Sequence, residues 1–274
     1  MAYKTILYEQ REHTVCITLD RPERLNAITD EMVGELEDAY ASVESDDGVW
    51  TLIMTGNGRA LCVGADLNKA RTGGDEAWAP GVDTRGEPLL GSYRQWDAPQ
   101  EATPPYLQMT KPVICAVNGI AAGAGLDLLT TADIAIASDR ASFFDPHVSI
   151  GLVPGREMVR LARLLPLNIA MRVALMGKHE RMPAARAYEL GLVSEVVPPG
   201  ELMKRAWEIA EAVNRNAPLA VRGTRLAIRK GLSLPVYEAE LLSEGYRLRV
   251  AQTEDAQEGP KAFLEKREPR WRVR

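Results

Sequence analysis

The sequence predicts an α/β fold, with βα units alternating through the first 200 residues and helices following them. Three observations predict it. Residues 113–133 (VICAVNGIAAGAGLDLLTTAD) join a β-branched apolar run to an Asn-Gly turn, a small-residue segment and a second apolar run. That order is a strand, a tight turn and a helix start. Short apolar runs and amphipathic segments alternate in the same way from residue 5 onward. From Glu201 almost everything carries a helical period. The predicted division is 1–200 for the α/β core, with a long insert at about 71–105, and 201–274 for a helical region.

Taken in order, residues 5–8 and 15–19 suit two antiparallel strands, which Arg21-Pro22 ends. Residues 24–27 form a loop. Thr29 can cap a helix whose first turn carries Asp30 and Glu31, where acids suit the helix dipole. Met32, Val33, Leu36, Ala39, Tyr40 and Val43 fall on one face of that helix. Residues 50–55 read as a buried strand and Gly56-Asn57-Gly58 as a turn. The segment 61–66 (LCVGAD) is a second place where small residues meet a polar helix start. The insert is rich in Gly, Pro, Trp and charge without a sustained period, which marks a functional lid or a moving segment. A short helix is expected within it, near 89–96.

Short strands are predicted at 134–137, 141–144 and 195–197. Helices are predicted at 157–165, 168–176 and 183–190, the last stopped by Gly191. The tail should hold helices at 201–215, 218–231, 235–253 and 258–266. Met158, Met171 and Met176 read as core filling.

Composition narrows the class. Hydrophobic residues at 46% and charged residues at 26% describe an ordinary globular chain. A net charge of -5 argues against a nucleic-acid partner, so an anionic ligand would need local cations. The three cysteines, Cys16, Cys62 and Cys115, lie in apolar runs without metal-ligand spacing, which implies reduced thiols, no metal and a cytoplasmic setting. The start lacks a secretory or transit pattern, and no apolar segment is long enough for a membrane span.

The chemistry begins at the two small-residue junctions. Amides at a helix N-terminus have no partner in their own helix and favour negative charge. One N–H from near Ala65 and one from near Ala124, aimed at one point, would make an oxyanion hole for a thioester enolate. Tight packing is the alternative reading of the same residues. The glycines at 119, 123 and 125 do not have the spacing of a dinucleotide-binding loop.

Six segments together resemble the crotonase (enoyl-CoA hydratase/isomerase) superfamily. They are RPERLNAI (21–28), TGNGRALCVGADL (55–67), AVNGIAAGAGLDLLTTADI (116–134), FFDPHVSIGLVPG (143–155), GKHERMPAARAYELGLVSEVV and NAPLAVRGTRLAI. The resemblance reaches the C-terminal EGPKAFLEKREPRW. It implies a crotonase-like spiral of ββα units followed by a helical trimerisation region. It also implies homotrimers or dimers of trimers, and acyl-CoA or enoyl-CoA substrates. Coenzyme A would enter as part of the substrate, with no tightly bound cofactor.

By position, the oxyanion amides fall on Ala65 and Ala124. Coenzyme A contacts fall on Arg24, Leu25 and Ala27, on Ala65, Asp66 and Leu67, and on Lys261, Phe263 and Lys266 of the last helix. Arg24, Arg59 and Lys69 could meet its phosphates or be solvated surface charges. Trp78 and Trp96 could line an acyl pocket or staple the insert down.

One departure bears on the reaction. Hydratases of the family hold a water between two glutamates; the matching positions here are Asp127 and His147. Both are therefore the candidate catalytic residues, histidine being able to take or give a proton near neutrality. Glu157 is a third candidate, in a segment (PGREMVR) one residue short of the family pattern, where a salt bridge with a nearby arginine is expected. Three functions follow. The first is an enzyme of enoyl-CoA hydratase/isomerase type. The second is a thioester or C–C hydrolase in which His147, perhaps with Asp127, activates water. The third is a non-catalytic binder of CoA esters.

Overall fold

The computed structural model describes residues 3–67 and 109–274. The predicted insert at 71–105, with its expected helix, Trp78 and Trp96, lies outside the described residues, as does Lys69. Two sheets organise the chain. The larger has six strands: β1 (Ile6–Arg11), β2 (Thr14–Leu19), β3 (Thr51–Gly56), β5 (Val113–Val117), β7 (Ile134–Ser138) and β10 (Glu195–Val197), side by side in that order. β1 and β2 are antiparallel and every later neighbour is parallel. The smaller sheet takes β4 (Ala60–Cys62), β6 (Ile120–Ala122), β8 (Ser142–Phe144) and β9 (Met182–Pro183).

Strands alternate between the sheets: β3 is followed by β4, β5 by β6 and β7 by β8. Each crossing is tight. Gly119 shows why: a Cβ there would stand 2.0 Å from the Arg59 carbonyl oxygen, so only glycine lets the β5–β6 turn lie on the neighbouring one. After β6 the chain forms α2 (Ala124–Thr131) and returns to β7. This is the predicted α/β spiral, one strand in each sheet per turn, and the described residues carry it.

Helix α1 (Asp30–Ser45) begins as expected, with Thr29 accepting a hydrogen bond from the Met32 amide at 3.2 Å. Met32, Leu36, Ala39, Tyr40 and Val43 are buried, but Val33 is 41% exposed. The expected apolar face was one residue too wide, because an amphipathic helix on a sheet buries only a stripe. Strands β3 and β5 are buried throughout. Each fully buried Val, Leu or Ile contributes about 1.5–3 kcal/mol, so these strands carry much of the core.

The remaining helices are α3 (Arg156–Leu164), α4 (Leu167–Met176), α5 (Ala184–Glu189), α6 (Leu202–Asn214), α7 (Pro218–Gly231), α8 (Val236–Val250) and α9 (Glu254–Glu265). α6 covers the far face of the larger sheet, with Leu202, Ala206 and Ala210 against Cys16, Ile53, Ile114 and Ile136. Arg225 and Arg229 of α7 tie the tail to the sheet through Asp133, at 2.6 and 2.8 Å. α9 starts four residues before the expected 258. Thr253 caps it by accepting from the Ala256 amide at 3.2 Å, and Pro260 sits inside the helix. Met158 packs partly buried against the core, whereas Met171 and Met176 are exposed and fill nothing. No described helix is long and apolar enough to cross a membrane.

Candidate active site

The two small-residue junctions meet. Gly64 (φ 109°) and Gly123 (φ 52°) both adopt backbone angles that favour glycine. A Cβ on Gly123 would stand 3.4 Å from the Gly64 Cα and 3.5 Å from the His147 Cε1. Ala65 and Ala124 follow these glycines directly, and His147 is a near neighbour of the junction. Ala124 opens α2, whose first internal bonds run from the Leu126 and Asp127 amides to the Gly123 carbonyl at 2.9 and 3.1 Å. The Ala124 amide therefore has no partner within its helix. Gly125 lets α2 approach β4, since a Cβ there would stand 2.3 Å from the Cys62 carbonyl oxygen. Beneath the junction, Cys62 Sγ accepts from the Gly64 amide at 3.4 Å.

The loop at 24–27 lies against the first junction. The Ile28 amide donates to the Gly64 carbonyl and the Asp66 amide to the Ile28 carbonyl, each at 2.8 Å, bridging Ile28 to Ala65. Leu25 (φ 51°) and Asn26 (φ 57°) are consecutive left-handed residues. Asn26 stabilises them from a fully buried position, accepting from the Arg21 amide and donating to the Asn57 and Ala60 carbonyls at 2.8–2.9 Å. Arg21, which the sequence reading used only as a strand terminator, donates to the Ala27 carbonyl and pairs with Asp66 at 2.9 Å. Its place inside RPERLNAI was the available signal. Leu67 is exposed beside this strap. Lys261, Phe263 and Lys266 lie on and just after α9, with Phe263 82% exposed. Among the described residues, no hydrogen bond or ion pair joins them to the loop at 24–27.

His147 begins a short 3-10 turn after Pro146. Its Nδ1 lies 2.9 and 3.0 Å from the two oxygens of Asp145, and its amide donates to Asp145 Oδ1 at 2.9 Å. Asp145 is fully buried. Glu157 Oε1 is 3.5 Å from the same Nδ1 and accepts from the Gly155 amide at 2.9 Å. Among the described residues, the salt bridge expected between Glu157 and an arginine does not form. Glu157 is turned toward His147, and Arg160 pairs with Asp127 instead. Arg156 approaches the other Asp127 oxygen at 3.6 Å. Asp145, which the sequence reading passed over, is the nearest partner of His147. Its spacing of two residues across a proline was the only sign.

The ligand-type atoms of Asp145, His147 and Glu157 lie within 4.8 Å of one another, near enough for a cation. Hydrogen bonds within the group already occupy the Nδ1 edge of the imidazole. What the arrangement offers is one carboxylate, Asp127, met by two arginines, and one imidazole braced by two acids, both near the 64–65 and 123–124 junctions.

The class this defines is an α/β spiral in which two glycine-led junctions meet beside a carboxylate and an imidazole. Residues 9–274 match the family described as enoyl-CoA hydratase/isomerase. The chain belongs to that family. It is 35% identical to an enoyl-CoA hydratase of Mycobacterium tuberculosis over 98% of this chain and 96% of the relative. An (E)-benzylidenesuccinyl-CoA hydratase of Thauera aromatica is 33% identical over 97% and 98%. A crystal structure of an enoyl-CoA hydratase/isomerase from Mycobacterium paratuberculosis is 57% identical, covers 100% of both chains and superposes with a TM-score of 0.88.

Proposed function

We propose that the Ala65 and Ala124 amides form an oxyanion hole for the enolate of an acyl-CoA or enoyl-CoA thioester, and that His147 moves the proton. The close approach of Gly64, Gly123 and His147 carries this reading. Amides fixed by the fold stabilise charge as it develops, without reorganising. Asp127, held by Arg160 and Arg156, serves as a fixed acceptor that orients the water or substrate hydroxyl. His147 exchanges the proton. Coenzyme A would run along Arg24, Leu25 and Ala27 and the main chain of Ala65, Asp66 and Leu67. Lys261, Phe263 and Lys266 would reach it from the last helix, with no separate cofactor.

A trimer or dimer of trimers in the cytoplasm is proposed with it. The exposed apolar side chains Leu232, Val236, Tyr237 and Leu241, at the end of α7 and along α8, support burial against another copy.

The pairing of His147 with Asp145 favours a second reading, in which His147 activates water to hydrolyse a thioester or C–C bond. A panel of acyl- and enoyl-CoAs read by mass spectrometry separates the two. Gain of one water, or an unchanged mass with a shifted double bond, supports the first. Release of free coenzyme A or a cleaved acyl chain supports the second. Binding without any product would overturn both.

A further inference from the structure

We propose that Asp145 is a positioning residue that holds His147 with its proton on Nδ1 and leaves its Nε2 as the proton acceptor. The proposal rests on the function read above and adds the group that makes His147 usable.

Both Asp145 oxygens lie at hydrogen-bond distance from Nδ1, at 2.9 and 3.0 Å. Carboxylate oxygens accept, so Nδ1 donates, and in the neutral ring the other nitrogen is left as the acceptor. Asp145 itself has nowhere to go. It is fully buried, and its Oδ1 also takes the His147 amide at 2.9 Å, closing a loop around Pro146. The ring cannot turn over without breaking both bonds.

The second carboxylate reinforces the first. Glu157 Oε1 stands 3.5 Å from Nδ1, anchored by the Gly155 amide. The nearby cations, Arg156 and Arg160 of α3, are directed to Asp127. The Nδ1 edge of the imidazole therefore faces two acids. Cε1, the carbon between the two ring nitrogens, stands 3.5 Å from where a Gly123 Cβ would be, so the ring lies beside the junction. With Nδ1 held by the acids, the lone pair of the neutral ring lies on Nε2, the other nitrogen bonded to Cε1.

This placement suits one proton cycle. The bond from hydrogen to the substrate Cα breaks, and the proton goes to Nε2. The electron pair stays with the substrate and is delocalised onto the thioester oxygen between the Ala65 and Ala124 amides. The imidazolium, with Nδ1–H still on Asp145, then returns the proton to the product carbon. No oxidant or further reactant is needed.

Nitrogen-15 NMR of the whole protein tests the assignment without any substrate. There are three histidines, and the signal lost in His147→Gln identifies the one in question. At a pH where that ring is neutral, the expected form carries its proton on Nδ1. A proton on Nε2 overturns the proposal. In kinetics, Asp145→Ala should lower kcat about 100-fold while KM changes little, the pattern of a lost proton-transfer geometry. If that variant does not fold, Asp145→Asn takes its place. A folded variant at either position with unchanged kcat overturns the proposal. Because the tautomer is read in the resting protein, its failure is distinguishable from failure of the proposed reaction.

Discussion

His147 and Asp127 stand where two glutamates would be expected, and each has partners that suit its own chemistry. Asp127 is one methylene shorter and is met by Arg160 and Arg156, both from α3. His147 is met by Asp145 and Glu157. The proposed proton-moving task therefore falls on the imidazole. His147→Ala should reduce turnover at least tenfold, a barrier rise of about 1.4 kcal/mol, with CoA-ester affinity nearly unchanged. Unaltered turnover would remove His147 from the mechanism. The cysteines behave in the opposite way. Burial pushes the Cys62 and Cys115 thiols up to about 12 and Cys16 to about 11, so the thiolate is scarce at neutral pH. Iodoacetamide at about pH 8 should leave all three unmodified in the native protein and label all three in denaturant. Rapid labelling of the folded protein would contradict their burial.

At the scale of elements, α3 organises the site. Its first turn directs Glu157 to His147, and Arg156 and Arg160 lie about one turn apart to meet Asp127. Helix α2 depends on a close approach rather than on charge. Its Gly125 has no space for a side chain, because a Cβ would collide with the Cys62 backbone. Gly125→Ala should cost about 1–3 kcal/mol of stability, as overpacking does, and appear as a lower urea midpoint at unchanged slope. The same substitution should lower kcat by displacing the Ala124 amide. A variant with unchanged midpoint and activity would show that α2 does not need that contact.

For the whole molecule, the tail presents an exposed apolar surface. Leu232 is 68% exposed, Val236 74% and Tyr237 68%, on adjacent ends of α7 and α8. A single chain gains nothing from holding such residues in water. Sedimentation equilibrium should find three or six times the chain mass, and Tyr237→Asp should shift the distribution toward smaller species. A monomeric wild type would overturn the proposed assembly. The anchoring of α7 by Asp133 keeps that surface in a fixed place on the sheet.

The sequence by itself determined the elements and the family. The strand periods, the Thr29 cap and the Asn-Gly turn are local signals, and local backbone preferences carried them into β1–β3, α1 and the β5–β6 crossing. The junction residues 64–65 and 123–124 were legible for the same reason, since small residues at a turn mark a backbone that must be approached closely. What remained hidden depended on distance in three dimensions. Nothing in one dimension separates an arginine that pairs with Glu157 from one that pairs with Asp127, because pairing depends on how α3 is rotated. Nor does spacing alone reveal that Asp145 folds back over Pro146 onto the imidazole. Val33, Met171 and Met176 are further instances, apolar residues left exposed by the particular face each helix turns to the core. Sequence determined which groups are present and where they lie along the backbone. Only the tertiary structure decided their partners, because hydrogen bonds and ion pairs act over about 3–4 Å and the chain alone does not fix separations that short.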